Sequence, residues 1–247
     1  TEADRQAMIH SDYKGTPVPP AYFPADFINE GVDQTRGWFF TLHAIATMIF
    51  DSVAFKNVIS TGLVLDAKGN KMSKHVGNVT NPFEMMEKYG ADPVRFYMMT
   101  NSEPWDNLKF DPEGVDEVRR KFFGTLYNTY SFLALYANVD GFDPETMLNQ
   151  GNLAERPEID RWIISKANSL IINVCKQLND YDPTRAGRLI DNFVNDDLSN
   201  WYVRRSRERF WGKDMNQDKI NAYMTLYTAL TTVVKLAAPM VPFITES

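Results

Sequence analysis

Runs of apolar residues at spacings of three and four fill the second half of the chain. One run covers residues 158–179, another opens at Pro183, and others begin near Pro112 and Gln217. Amphipathic helices of this length, joined by short or polar connections, bury their apolar faces against one another. The pattern therefore predicts an all-α helix bundle over residues 113–247.

The first part of the chain alternates short extended segments with turns. Phe27 lies in a short apolar run that ends at Gly31, and helical spacing follows over about residues 34–50. A second extended segment covers residues 58–65 and leads into a turn. This order of strand, helix and strand indicates an α/β half, residues 1–80.

Two pairs of residues with capping potential follow this half. Asn81 precedes Pro82, and Asp92 precedes Pro93. Asn and Asp are preferred N-cap residues, and proline is favoured at the first helical position. Two short helices are therefore predicted in a connecting segment, residues 81–112.

Composition narrows the classes of protein that the chain can represent. It is 44% hydrophobic and 23% charged, as in globular proteins. No apolar run approaches the roughly 18 residues of a membrane span, and no signal peptide is evident, so a cytoplasmic protein without a membrane partner is expected. The net charge of −6 argues against a protein that coats nucleic acid indiscriminately, so RNA contacts must come from local basic patches.

Cysteine and histidine, the usual ligands of zinc, are sparse in this sequence. Cys175 is the single cysteine, which excludes an internal disulfide and a cysteine-based zinc cluster. The three histidines His10, His43 and His75 are scattered without metal-ligand spacing. We therefore expect no structural metal and no zinc site.

A lysine-rich string carries the first chemical signal. Lys71-Met72-Ser73-Lys74-His75 places two ammonium groups on a loop, an arrangement that suits a polyanion such as a triphosphate. Two lysines at this spacing are by themselves more often a solvated turn. The whole string, however, resembles the KMSKS motif of class I aminoacyl-tRNA synthetases, with His75 in place of the usual last serine.

An acidic segment carries the second signal. Residues 30–40 read EGVDQTRGWFF, and polar residues between a strand end and a helix start lie where nucleotide-binding sheets hold their ligands. A capped helix start with Trp38 in the core would have the same local pattern. The segment resembles the EGxDQxRGWF sequence of isoleucyl-tRNA synthetases, which differs in the valyl and leucyl enzymes.

A basic and aromatic segment carries the third signal. Residues 200–211 read NWYVRRSRERFW, and arginines bind phosphates while exposed rings stack on bases. A basic helix end that satisfies its own dipole is an equal alternative. The segment is similar to the WYxRxSRxRFW region of the anticodon-binding bundle in isoleucyl and valyl synthetases, and residues 81–95 are similar to the stem-contact helices of this family.

The resemblance, which covers about residues 22–247, implies a mixed fold. Its parts would be a partial Rossmann-like catalytic half, residues 1–80, then stem-contact helices, residues 81–112, and an anticodon-binding bundle, residues 113–247. The implied reaction joins L-isoleucine to ATP as isoleucyl-AMP and transfers it to tRNA(Ile), with Mg²⁺ accompanying ATP.

The resemblance also implies roles for particular residues. Glu30 and Gly31 would contact the aminoacyl adenylate, Asp33 and Gln34 would hydrogen-bond its ribose and nearby polar atoms, and Trp38 would wall the isoleucine pocket. The lysines would have a catalytic role, in which Lys74 binds the ATP phosphates and Lys71 assists it. The candidates for tRNA contact are Arg204, Arg205, Arg207 and Arg209, of which at least one is open to a structural role.

Parts of the family pattern do not occur in the sequence. The HIGH motif that binds ATP phosphates is absent, and so is the editing insertion; the segment at His43 is an ordinary helical one. We therefore expect an excised piece that does not activate isoleucine by itself. The alternatives are a tRNA-binding module without catalysis and a valyl-type enzyme. All of these expectations require Asp33 and Lys74 to flank one cleft.

Overall fold

Two parallel strands form the first ordered part of the chain. The structure is a computed structural model, and it describes residues 23–147 and 152–246. Strand β1 (Ala25–Gly31) pairs with β2 (Phe55–Thr61), so that Gly31 lies opposite Thr61 at the carboxyl end of both strands. The strands predicted around Phe27 and Val58 are confirmed.

Helix α1 (Trp38–Phe50) connects these strands and begins later than predicted. Residues Val32–Arg36 form a short 3₁₀ helix instead of the first turn of the predicted helix at residues 34–50. Gly37 interrupts the helical path with φ −117° and ψ −109°. The predicted start at Gln34 was therefore wrong by four residues, because periodicity does not distinguish a 3₁₀ turn from an α-helix.

A second pair of parallel strands is short. Strand β3 (Val64–Leu65) pairs with β4 (Leu108–Lys109). The chain divides into two compact units, of which unit 1 comprises the residues through Leu65 together with Pro104–Lys109. Unit 2 comprises Asp66–Glu103 and the residues from Phe110 onward. The lysine string thus belongs to the same unit as the long helices.

Two short helices follow the lysine string in unit 2, as predicted. Helix α2 (Pro82–Tyr89) is capped by Asn81, whose side chain accepts a hydrogen bond from the N–H of Phe83. Helix α3 (Ala91–Thr100) starts after Gly90, which has φ +93°. The predicted cap at Asp92 was wrong, because this buried carboxylate lies inside the first turn and accepts from the N–H of Ile244 at 2.8 Å.

A continuous helical segment follows from Pro112. It consists of α4 (Pro112–Val118), a π-helical turn (Arg119–Phe123) and α5 (Gly124–Asp140). The short helix α6 (Pro144–Met147) and a 3₁₀ turn (Leu153–Glu155) lie in the segment predicted to be polar and separating.

Three further long helical segments complete the described bundle. The first is α7 (Glu158–Asn179). The second consists of α8 (Pro183–Asn192), a π-helical stretch (Phe193–Val203) and α9 (Arg204–Trp211). The third is α10 (Gln217–Ala237), and the short helix α11 (Pro242–Glu246) follows it. Their shared core contains fully buried side chains such as Ile163, Ile190, Leu198, Tyr223 and Leu226. The predicted bundle is confirmed.

Helix α3 is hydrogen-bonded to the bundle at its carboxyl end. Thr184 of α8 donates its hydroxyl to the carbonyl groups of Met99 and Ser102, at 2.7 and 3.0 Å. Arg188 donates to the carbonyl groups of Thr100 and Asn101. These bonds satisfy carbonyl groups that a helix end leaves unpaired. The carboxyl end of α3 is therefore held against α8 by side-chain hydrogen bonds.

None of the helices in the described part of the chain combines the length and the apolar character that a bilayer crossing requires.

Candidate functional site

The acidic segment forms a tight turn at the carboxyl end of β1. Glu30 is exposed and lies opposite Ser60, and the backbone carbonyl of Glu30 accepts the hydroxyl of Thr61 at 3.0 Å. Asp33 and Gln34 follow in the 3₁₀ helix. The carboxyl end of a parallel strand pair is where α/β sheets bind their ligands. The predicted ligand residues of this segment therefore lie at the expected edge of the strand pair.

The side chains of this turn are organised by one glutamine. The Gln34 amide donates to Asp33 Oδ2 at 3.0 Å, while its carbonyl oxygen accepts from the N–H of Trp38 at 3.1 Å. Because Gly37 has no side chain with which to cap α1, Gln34 supplies the cap. Gln34 therefore has a structural role in addition to the ligand role predicted for it.

Gly31 leaves room for the Asp33 carboxylate in this turn. A Cβ atom at this position would lie 2.5 Å from Asp33 Oδ1, well inside a normal contact. The indole of Trp38 follows at the start of α1 and is 51% exposed, so its ring is available to a ligand instead of being enclosed by the core of unit 1. This exposure is at odds with the alternative in which Trp38 fills the core.

The lysine string forms an exposed loop between Asp66 and α2. This segment, residues 66–80, is called the lysine loop below. Lys71, Lys74 and His75 are exposed, so both ammonium groups face solvent. The hydroxyl of Ser73 accepts from the N–H of His75, and the carbonyl of Ser73 accepts from the N–H groups of Val76 and Gly77. The backbone is thus folded into a tight turn that presents the two lysines.

The carboxylate of Asp66 anchors the start of the lysine loop. Its Oδ1 accepts from the backbone N–H groups of Lys68 and Asn70, at 3.0 and 2.7 Å. Its Oδ2 accepts from the side-chain amide of Asn78 at 3.0 Å. These bonds, first that from Asn78 and then that from the Asn70 backbone, lower the pKa of Asp66 below 3.8.

The basic segment presents three of its four arginines to solvent. Arg204, Arg205 and Arg207 lie on the exposed side of α9. The Arg205 guanidinium lies 4.4 Å from the ring centroid of Trp201, which is 49% exposed. A cation above an indole is held by the ring quadrupole. This pair forms a surface on which a base and a phosphate could both be bound.

A second tryptophan extends this surface. The ring of Trp162 in α7 lies 6.2 Å from that of Trp201, and Lys166 Nζ lies 5.9 Å from the Trp162 ring. Lys166 also pairs with Asp197 at 3.2 Å. The Arg205 guanidinium, the rings of Trp201 and Trp162, and the Lys166 ammonium group are therefore successive neighbours on this surface.

Arg209 has different surroundings from the other three arginines. Its guanidinium makes a bidentate pair with Asp160, at 2.7 and 2.8 Å, and also binds the carboxylate of Asp218. Asp160 is fully buried and also accepts the hydroxyl of Tyr202 at 2.8 Å. Burial, together with the Asp160 charge, raises the pKa of Tyr202 well above 10, so this phenol stays protonated. The geometry favours a packing role for Arg209, and the RNA contact predicted for it stays a prediction.

Asp66 and Asn78 together hold the lysine loop. The sequence placed Asp66 in a turn without a role in the site, and Asn78 was overlooked. The signal for Asn78 was the Gly77-Asn78 pair, a combination typical of turns. The predicted sharing of a cleft by Asp33 and Lys74 involves residues of two different units and stays a prediction. Among residues 23–147 and 152–246, no cluster of three or more His, Cys, Asp or Glu side chains could hold a metal ion.

Comparisons with protein families match both parts of the chain. A family described as tRNA synthetases class I (I, L, M and V) matches residues 5–111, and one described as the anticodon-binding domain of tRNA ligase matches residues 160–247. The isoleucine–tRNA ligase of Bacteroides fragilis is 64% identical over 96% of this chain, and that of Porphyromonas gingivalis is 68% identical over 90%. The chain spans 21% and 19% of the length of these relatives.

Solved structures of class I enzymes share the fold. Mycobacterium tuberculosis methionyl-tRNA synthetase bound by methionyl-adenylate superposes with a TM-score of 0.71 at 22% identity, covering 91% of this chain and 43% of that one. LeuRS of Agrobacterium radiobacter K84, in a ternary complex that includes tRNA, superposes with a TM-score of 0.64 at 22% identity, covering 90% and 27%. The two family models and the isoleucine–tRNA ligase relatives together show that the chain belongs to the class I tRNA synthetase family.

Proposed function

We propose that this chain is the part of an isoleucine–tRNA ligase that carries the lysine loop and the anticodon-binding helices. The observation that carries the proposal is the 64% identity, over 96% of this chain, to a relative named for that activity. The whole enzyme would join isoleucine to ATP as isoleucyl-AMP, release pyrophosphate, and transfer the isoleucyl group to tRNA(Ile). The expected compartment for such an enzyme is the cytoplasm.

Activation requires little covalent chemistry from the protein. A carboxylate oxygen of isoleucine attacks the α-phosphorus of ATP as the bond from that phosphorus to the pyrophosphate oxygen breaks. Negative charge then develops on the leaving pyrophosphate, where the exposed ammonium groups of Lys71 and Lys74 would neutralise it. No side chain needs to act as a nucleophile, because orientation and charge stabilisation supply the rate.

The acidic turn would hold the other end of the adenylate. Glu30 and Gly31 would contact the aminoacyl adenylate, Asp33 and Gln34 would hydrogen-bond its ribose and nearby polar atoms, and Trp38 would wall the isoleucine pocket. The exposure of Asp33 and Trp38 supports this assignment, since both side chains are accessible. Mg²⁺ that accompanies ATP would be held largely by the ATP phosphates. Within the part of the chain that the structure describes, no cluster of three or more His, Cys, Asp or Glu side chains could hold a metal ion.

The exposed side of α9 would contact tRNA. Arg204, Arg205 and Arg207 are free to face solvent, and the pairing of Arg205 with Trp201 supports contact with unpaired bases as well as phosphates. This surface also favours the second candidate function, a tRNA-binding module without catalysis. Titration of the chain with ATP separates the candidates: the ligase predicts that ATP binding weakens in Lys74→Ala, whereas a pure RNA-binding module predicts no dependence on Lys74.

The decisive experiment measures isoleucine-dependent exchange of pyrophosphate into ATP. The full-length enzyme containing this segment is expected to be active, and Lys74→Ala is expected to reduce kcat by about 10²-fold or more, as for other donors to a developing anion. Lys68→Ala, which removes a lysine of the same loop outside the motif, is the matched control. Equal rates for the two variants would contradict the role of Lys74.

The chain alone is expected to show no such exchange. The HIGH motif, which binds the ATP phosphates in the family, does not occur in its 247 residues. Isoleucine-dependent exchange by the isolated chain would disprove this expectation and would show that the second phosphate site is dispensable.

A further inference from the structure

Asn78 lies outside the lysine string, yet its side chain bonds to the backbone within it. Its Oδ1 accepts from the N–H of Ser73 at 2.8 Å, and its Nδ2 donates to the carbonyl of Lys71 at 3.2 Å. These two bonds hold the chain on either side of Met72. One side chain therefore fixes the backbone from which both lysines project.

The same amide connects this contact to the base of the loop. Asn78 Nδ2 also donates to Asp66 Oδ2 at 3.0 Å, and Asp66 in turn holds the backbone N–H groups of Lys68 and Asn70. The two side chains together hold residues 66–73 at four backbone positions. Hydrogen bonds to an ionised carboxylate contribute more than those between neutral groups.

Apolar packing contributes little to the order of this loop. Val76 is 73% exposed and Val79 is 47% exposed. Gly77 has φ +73°, and a Cβ atom placed there would meet nothing within 4 Å. With these side chains in solvent, the polar contacts of Asp66 and Asn78 act together with the backbone turn at Ser73 to restrain where the two ammonium groups lie.

We propose that Asn78 is a positioning residue, which holds Lys71 and Lys74 in the geometry that the pyrophosphate leaving group requires. This inference rests on the proposed function, because it assigns Asn78 a role in the same reaction. Asn78 itself touches no reacting atom in this scheme. It acts through the backbone of the two residues that flank Met72.

The amide group is specific to this task, because it both donates and accepts. Asn78→Ala removes all three hydrogen bonds. Asn78→Asp retains an acceptor for the N–H of Ser73 but loses both donated bonds and places a second carboxylate about 3.0 Å from Asp66. In the double variant Asp66→Asn with Asn78→Asp, the bond between the two side chains re-forms with its direction reversed. The double variant is therefore expected to recover part of what Asn78→Asp loses.

The first measurement follows the order of the loop in this chain. Amide hydrogen exchange at Ser73 and trypsin cleavage after Lys71 and Lys74 are expected to accelerate about tenfold or more in Asn78→Ala, since an exposed amide without its partner exchanges at the rate of an open loop. Asn70→Ala is the matched control, because its side chain bonds to Asp66 but to neither Lys71 nor Ser73. Unchanged exchange and cleavage in Asn78→Ala would overturn the inference.

The second measurement is pyrophosphate exchange by the full-length enzyme. Asn78→Ala is expected to lower kcat by about 10- to 100-fold, as expected for a displaced charge-stabilising group, with little change in KM for isoleucine. Partial recovery by the double variant relative to Asn78→Asp supports positioning. A loosened loop with unchanged kcat overturns it. If the wild-type enzyme lacks isoleucine-dependent exchange, the proposed function fails, and the loop measurement still decides whether Asn78 orders the loop.

Discussion

Arg207 and Arg209 lie two residues apart on α9 and face different surroundings. Arg207 is exposed, whereas the side chain of Arg209 is 14% exposed and binds the fully buried Asp160. Removing one partner of a buried ion pair leaves an uncompensated charge, which costs about 3–5 kcal/mol. Exposed substitutions usually change stability by less than about 0.5 kcal/mol.

Arg209→Ala is therefore expected to lower the free energy of unfolding by about 3–5 kcal/mol, and Arg207→Ala to leave it nearly unchanged. Denaturant titration of both variants measures the difference. For tRNA affinity we expect the opposite order, with Arg207→Ala weakening binding while the fold is kept. Equal free energies of unfolding for the two variants would mean that the ion pair between Arg209 and Asp160 does not stabilise the fold.

Asp66 provides a pH-dependent test of the loop structure. Because its pKa is lowered in the folded protein, the ionised form stabilises the fold at pH values above 3.8, and that contribution is lost as the pH falls through the lowered value. An NMR titration of the Asp66 carboxyl carbon is expected to give a midpoint below 3.8. In Asn78→Ala the midpoint is expected to move up toward 3.8, because the first cause of the shift is removed. A wild-type midpoint at or above 3.8 contradicts this arrangement.

Residue roles were predictable from sequence where a motif carried them and not where three-dimensional partners did. The lysine string and the acidic turn were recognisable because their residues are contiguous. The distinction between Arg207 and Arg209 was not, because Asp160 lies 49 residues away in the chain. Sequence patterns name the candidates, and buried partners decide which of them are available to a ligand.

At the level of elements, the close approach of α8 to α3 depends on Gly187. A Cβ atom there would lie 2.6 Å from Thr100 Cγ2. Gly187→Ala is expected to destabilise unit 2 by about 1–3 kcal/mol, the range for overpacking a tight contact. Thermal or denaturant unfolding measures the change.

Gly124→Ala is the matched control for this substitution. Gly124 has helical φ −60° and ψ −43°, and the nearest atom to an added Cβ is 3.7 Å away. Alanine is favoured over glycine in such a helix, so Gly124→Ala is expected to stabilise by about 0.5–1 kcal/mol. If both variants lost stability equally, the contact with Thr100 would not explain the effect of Gly187→Ala.

Helix bounds were predictable where the apolar periodicity ran through the whole helix. Helices α7 and α10 were predicted at residues 158–179 and from Gln217, and the structure places them at Glu158–Asn179 and Gln217–Ala237. The π-helical stretch Phe193–Val203 was missed. Its signal is a run of buried positions at a constant spacing of four, namely Val194, Leu198 and Tyr202. A helix with 3.6 residues per turn would rotate such a row off its face, and a wider helix keeps it buried.

At the level of the whole molecule, the two units differ in how much apolar surface they bury. In unit 1 several large apolar side chains are exposed, among them Phe40 at 65% and Met48 at 78%. Parallel sheets normally have both faces covered, and a two-stranded sheet is marginal by itself. The long helices of unit 2 instead share an extensive buried core.

Native-state hydrogen exchange is therefore expected to give lower opening free energies for β2 than for α10. Segments with few buried apolar contacts open first, whereas the amides of a bundle core open only with global unfolding. The backbone amide of Val58 is a suitable reporter for β2, and those of Leu226 and Val233 for α10. Equal protection at the two sets would indicate that the chain unfolds as one cooperative unit.

The chain path between the units has a topological consequence. The polypeptide passes from one unit to the other three times, after Leu65, after Glu103 and after Lys109. A single backbone cleavage after Leu65 would leave two polypeptides on a denaturing gel, yet the pairing of Val64 with Leu108 retains part of each on the same strand pair. Cleavage of the peptide bond after Leu65 is therefore not expected to separate the two products. The cleaved protein is expected to elute as one species in size-exclusion chromatography under native conditions.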